Sequence, residues 1–161
     1  MNLISEAPLW LALIFTVLLV AAGLQDALQA RMSNKIVLLV VIGAMIAAAV
    51  VGPQLALWQN VTVFAVLLTL GTAMFAKGVL GGGDVKMLAA TSLWFDLLGG
   101  TKMLLAVFAS GGVLAVLVIA ARLLDWSEAA RRRLPFLRPR TGIPYGIAIA
   151  AGALIAGALQ R

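Results

Sequence analysis

Six apolar runs, separated by short polar connections, dominate the chain. They cover residues 8–24, 36–51, 61–76, 85–98, 103–121 and 143–159. A run of this length satisfies its own backbone in lipid only as a helix, and a helix apolar on every face is either a core helix or a membrane span. Charge decides between them: only 11% of the residues are charged, against about a quarter in soluble domains. The mean hydropathy of +1.10 points the same way. The expected fold is therefore all-α, a polytopic membrane bundle of about six transmembrane helices, with residues 1–161 forming one domain.

Several runs hold about 16 residues, or ~24 Å of helix, short of a ~30 Å hydrocarbon core. The helices are thus expected to extend about a turn into the polar connections. Pro8 stands near the first helix start, where its missing N–H costs little. Ser33 or Asn34 is placed to cap the second helix. Gly52 and Pro53 stop it. Gly99, Gly100, Thr101 and Lys102 read as a turn between the fourth and fifth runs.

Basic residues fix an orientation. The first, third and fifth connections hold Arg31, Lys35, Lys77, Lys86, Arg122, Arg131, Arg132, Arg133, Arg138 and Arg140. The opposite side holds only Lys102 and Arg161. Cytoplasmic loops concentrate Lys and Arg, so these connections are assigned to the cytoplasm and both termini to the far side. The net charge of +6 is thereby explained by topology and not by a nucleic-acid face. Arg131, Arg132 and Arg133 read as an anchor to anionic lipid. Glu6 and the lack of a basic residue before the first run do not fit a secretory signal.

The chain has no cysteine and no histidine, which excludes thiol nucleophiles, Cys/His zinc sites and Ser-His-Asp chemistry. No metal site and no cofactor are expected. Acid–base work falls to the carboxylates, the single tyrosine or the lysines. In this topology Asp26 closes the first helix and Asp84 opens the fourth, both on the cytoplasmic side. Glu6 and Asp96 lie on the far side, while Asp125 and Glu128 sit in a basic loop that explains them.

Asp84 follows Gly81, Gly82 and Gly83, a stretch without side chains that another backbone can approach closely. Acids among membrane-length runs are costly and are functional candidates by default. Two carboxyls brought close share a proton, and such a pair can activate water and protonate a departing amine. Helix-end dipoles favour charge on Asp84 and the proton on Asp26. Lys86 is the kind of lysine that snorkels to headgroups. A proton-coupled transporter and a non-catalytic scaffold are the alternatives for such a chain.

The residues also resemble the type IV prepilin peptidase family, membrane aspartyl proteases of the GxGD type. Gly81, Gly82, Gly83 and Asp84 match that signature, and Val85, Lys86, Met87 and Leu88 continue it. Asp26 precedes Arg31, Met32, Ser33 and Asn34 at the spacing of the family's other aspartate motif, with Met32 and Ser33 departing from its usual Ile-Pro. Pro144, Tyr145 and Gly146 are similar to its closing motif. The resemblance implies catalytic Asp26 and Asp84, a substrate-binding loop of Gly81, Gly82, Gly83 and Lys86, and structural roles for Asn34, Pro144, Tyr145 and Gly146. The implied partners are the bilayer and a membrane-inserted prepilin with a basic cytoplasmic leader, cut at the inner face of a bacterial cytoplasmic membrane. The missing Cys-x-x-Cys region implies a peptidase without methyltransferase activity, similar to short CpaA/TadV-like members that serve Flp-type pili.

Overall fold

The computed structural model describes residues 2–52, 54–128, 134–138 and 142–160. Pro53, Arg131, Arg132, Arg133, Arg140 and Arg161 lie outside the described residues. Among those described there are seven α-helices: α1 (Leu3–Glu6), α2 (Leu9–Gln29), α3 (Asn34–Val51), α4 (Leu57–Ala76), α5 (Gly82–Ser92), α6 (Leu97–Arg122) and α7 (Tyr145–Ala158). A single 3-10 turn, Pro135–Leu137, precedes α7. The all-helical expectation holds, and so does the extension of the early helices into their connections. α2 runs past Leu24 to Gln29, and α4 starts at Leu57 rather than Val61.

Local chemistry sets the ends. Ser33 Oγ accepts the Lys35 N–H at 3.2 Å, so Ser33 caps α3 and Asn34 is its first residue. α2 ends with Ala30 in the left-handed region at φ 49°, its N–H donating to the Asp26 carbonyl at 2.8 Å. That conformation is usually left to glycine.

Two boundaries differ from the sequence reading. The fourth apolar run breaks at Ser92, and Leu97 and Leu98 already belong to α6. Gly99, Gly100, Thr101 and Lys102 are helical and do not form a turn. Asp96 Oδ1 accepts the Gly99 N–H at 2.6 Å and starts the helix there. The adjacent glycine serves close packing, since a Cβ on Gly100 would lie 2.7 Å from Val63 of α4. Paired glycines punctuate soluble chains, but in lipid they let helices approach.

Four helices, α2, α3, α4 and α6, are long and apolar enough to cross a membrane. α5, with 11 residues, and α7, with 14, rise only ~16 and ~21 Å. The six expected transmembrane helices thus become four long spans and two short helices. α5 is the central one, packed on α3, α4 and α7, with Val85 and Met87–Ser92 buried. Below it Trp94 is fully buried, stacked on Phe15 at a ring distance of 4.4 Å and donating from Nε1 to the Val40 carbonyl at 3.1 Å.

Large apolar side chains such as Val17, Met45, Leu105 and Val116 remain exposed on the outside. Lipid is their natural solvent, so helix association rests on packing of small residues rather than on apolar burial. One end of the bundle gathers both chain ends: the Leu3 N–H donates to the Trp94 carbonyl at 3.0 Å, and Asn2 Nδ2 donates to Gln160 Oε1. The aspartates Asp26 and Asp84 lie at the other end.

Candidate active site

Asp26 occupies the last turn of α2, one turn before the left-handed Ala30, and is 8% exposed. Its Oδ2 accepts the Gly146 N–H at 2.8 Å, from the first turn of α7. Pro144 precedes that turn and has no N–H, so the early donors of α7 include Gly146. A Cβ on Gly146 would lie 2.9 Å from both Cβ and Oδ2 of Asp26 and 2.6 Å from Met32 Cε. Only glycine lets α7 come this close.

Asp84 sits in the first turn of α5, whose N-cap is Gly81. The Asp84 carboxylate folds back over Gly81, where a Cβ would lie 2.7 Å from Oδ2. Both acids line one cavity of about 250 Å3, shared with Ala27, Ala30, Gly81, Phe136, Gly142, Ile143 and Pro144. Helix ends explain why the acids meet there. The N-termini of the two short helices, α5 and α7, converge on the pair, each carrying a positive partial charge. The dipoles of their own helices alone would separate Asp84 from Asp26. With the start of α7 bonded to Asp26, dipoles no longer distinguish the two.

The three glycines divide their roles. Gly81 faces the cavity, Gly82 packs against the Phe75 ring, and Gly83 against Met32. The expectation of one continuous glycine surface for a substrate thus narrows to Gly81. Lys86 does not line the cavity. It points into a groove with Leu68, Thr72, Phe75, Gly82 and Val85, and its Nζ donates to Asn34 Oδ1 at 3.3 Å. That bond ties the α5 start to the α3 start, giving Asn34 a positioning contact. Tyr145 lays its ring over Gly111 of α6, whose missing side chain admits it.

Sequence reasoning missed three residues. Met32 is the wedge of the site: its Cβ abuts Gly83 and its Cε abuts Gly146, so one side chain joins the turns around both acids. Its place in the aspartate motif was the available signal. Ala30 carries a conformation no composition reveals. Phe136, an aromatic within a basic loop, had no signal at all. Its carbonyl accepts Arg122 Nε at 2.8 Å, while Leu137 beside it is buried and the turn packs on α2 and α6.

Two carboxyls on one small cavity, Asp26 buried and Asp84 half-buried, with the Gly146 N–H bonded to Asp26, are competent to hold water against a polar substrate bond. The model of the type IV leader peptidase family matches residues 13–125. That stretch holds both aspartates and the glycine turn and stops short of α7. Neither a curated protein nor a solved structure matches the chain.

Proposed function

Since the chain belongs to the type IV leader peptidase family, we propose that it is an aspartyl endopeptidase whose catalytic pair is Asp26 and Asp84. One observation carries this reading: two acids 58 positions apart in sequence line the same cavity at one end of the bundle. A scaffold has no use for two acids on one cavity, and a transporter acid would be sought near the midplane rather than at a helix end.

The reaction follows from the pair. The ionised carboxyl takes a proton from a water held between the acids, and the water oxygen attacks the scissile carbonyl carbon. The protonated carboxyl hydrogen-bonds the carbonyl oxygen as charge develops there. The tetrahedral intermediate collapses with cleavage of the C–N bond, the amine leaves with a proton from the pair, and one shared proton remains for the next cycle. An extended substrate backbone passes beside Gly81, where no side chain blocks it.

The substrate is a prepilin of the type IV or Flp class, with its apolar helix in the bilayer and its basic leader in the cytoplasm. The charge bias of the connections supports placing the acids at the cytoplasmic face of a bacterial inner membrane. Without cysteines for the larger members' extra region, the chain is a peptidase without methyltransferase activity. Co-expression with a candidate precursor tests the reading: leader removal, seen as a gel shift, is expected for the wild type and lost in Asp26→Asn and Asp84→Asn. Leader removal by either variant at the wild-type level overturns the assignment.

A further inference from the structure

We propose that the groove between α4 and α5, at the acid end of the bundle, holds one anionic phospholipid, with its phosphate on Lys86 and an acyl chain along the groove. The groove measures about 300 Å3 and is lined by Leu68, Thr72 and Phe75 of α4 and by Gly82, Val85 and Lys86 of α5. These side chains offer carbon apart from one hydroxyl and one amine. Thr72 donates its hydroxyl to the Leu68 carbonyl at 2.6 Å, so only the amine is left to meet a polar group. Glycines bring the two helices close: a Cβ on Gly71 would lie 2.7 Å from Val85, and one on Gly82 would lie 3.3 Å from the Phe75 ring.

The groove runs along the helices, as an acyl chain does. Leu68 stands ~12 Å of helix before the end of α4 at Ala76. Lys86 belongs to the second turn of α5, yet its Nζ donates to Asn34 Oδ1 at 3.3 Å, on the first residue of α3. An ammonium brought back to the level of the helix ends, on a stem laid over apolar surface, is a snorkelling lysine. Asn34 is a neutral acceptor, and Lys86 has no carboxylate partner among the described residues. Lys35, in the first turn of α3, and Lys77, at the end of α4, are exposed at the same end of the bundle. Three cations at the surface end of an apolar groove are what basic pockets between membrane helices offer to anionic head groups. A protein helix, ~10 Å across, needs a trough along its whole length. This groove closes below Val85, where α5 is buried from Met87 to Ser92, so a single chain fits it and a helix does not.

The test uses the full chain in a neutral detergent and reads the unfolding temperature and the lipid retained in native mass spectrometry. Phosphatidylglycerol, phosphatidylcholine with the same chains, and inorganic phosphate are added in turn to the wild type, Lys86→Gln, Lys86→Arg, Thr72→Trp and Lys102→Gln. Phosphatidylglycerol is expected to be retained by the wild type and to raise its unfolding temperature. Phosphatidylcholine does so weakly, and phosphate, which brings no chain, does not. Lys86→Gln can still bond Asn34 but lacks the charge, and is expected to bind phosphatidylglycerol ~5-fold more weakly, the share of one lysine beside an anionic head group. Lys86→Arg restores the wild-type affinity. Thr72→Trp fills the groove and loses the lipid although every cation remains, so the proposal stays testable if Lys86→Gln misfolds. Lys102→Gln, at the opposite end of the bundle, changes nothing. Equal retention of the two lipids, stabilisation by phosphate alone, or equal losses in Lys86→Gln and Lys102→Gln overturns the proposal. So does a Lys86→Gln variant that keeps its lipid but binds a precursor helix more weakly, which would give the groove to a protein.

Discussion

The Gly146 N–H donates to Asp26 Oδ2 at 2.8 Å across a separation of 120 residues. This bond docks the start of α7 on the end of α2 and depends on an absent side chain. Gly146→Ala places a Cβ 2.9 Å from Asp26 and 2.6 Å from Met32. Overpacking of this kind costs ~1–3 kcal/mol and moves the acid. Thermal unfolding in micelles is expected to fall, and leader cleavage to fall further than stability explains. Cleavage unchanged in Gly146→Ala would mean the contact does not position the acid.

The same bond separates chemistry from architecture at Asp26. Asn keeps an oxygen to accept the Gly146 N–H, so Asp26→Asn is expected to fold like the wild type and lose at least ~100-fold in cleavage. Asp26→Ala also strands a buried donor, which costs ~1–3 kcal/mol in stability. A gap in unfolding temperature between these two variants, with equal loss of cleavage, is the expected pattern. Equal stability would show that the bond contributes little to the fold.

Half of the site is legible in the amino-acid sequence because it is local. An acid behind three glycines announces a helix start with an open approach, and Asp84 is found there, in the first turn of α5. Asp26 stands out by its charge, but its partner does not, because hydrogen bonding over 120 positions leaves no trace in periodicity. The same limit hides Met32, whose value lies in touching Gly83 and Gly146 together. Gly99 and Gly100 mislead for a different reason: the rule that paired glycines break helices belongs to water, and here an Asp96 cap and a close α4 contact keep them helical.

Trp94 anchors the core below α5 through two interactions, the Phe15 stack and the Nε1 bond to the Val40 carbonyl at 3.1 Å. Trp94→Phe keeps an aromatic ring for Phe15 but leaves a carbonyl in α3 without this donor. That carbonyl keeps its helical partner, so the loss is near ~1 kcal/mol plus a packing deficit. Thermal unfolding is expected to drop modestly, with cleavage at permissive temperature retained because the change is remote from the acids. Loss of cleavage without loss of stability would reveal coupling from this core to the site.

Two glycines in contacting helices should respond oppositely to the same change. A Cβ on Gly152 of α7 would fall on the backbone N and Cα of Val107 in α6, which no rotamer change can clear. Gly112 of α6 has nothing within 4 Å of its would-be Cβ. Alanine at position 112 removes the entropic penalty of a helical glycine, a gain of ~0.5–1 kcal/mol. Alanine at 152 pushes α6 and α7 apart, and the first turn of α7 holds Asp26 through the Gly146 N–H. Gly112→Ala is therefore expected to match or exceed the wild type in unfolding temperature, with unchanged cleavage. Gly152→Ala is expected to lose both stability and cleavage, because the helix it displaces is the one that holds Asp26 in place. Equal behaviour of the two variants in paired unfolding and cleavage measurements would refute the close α6–α7 contact as the support of the site.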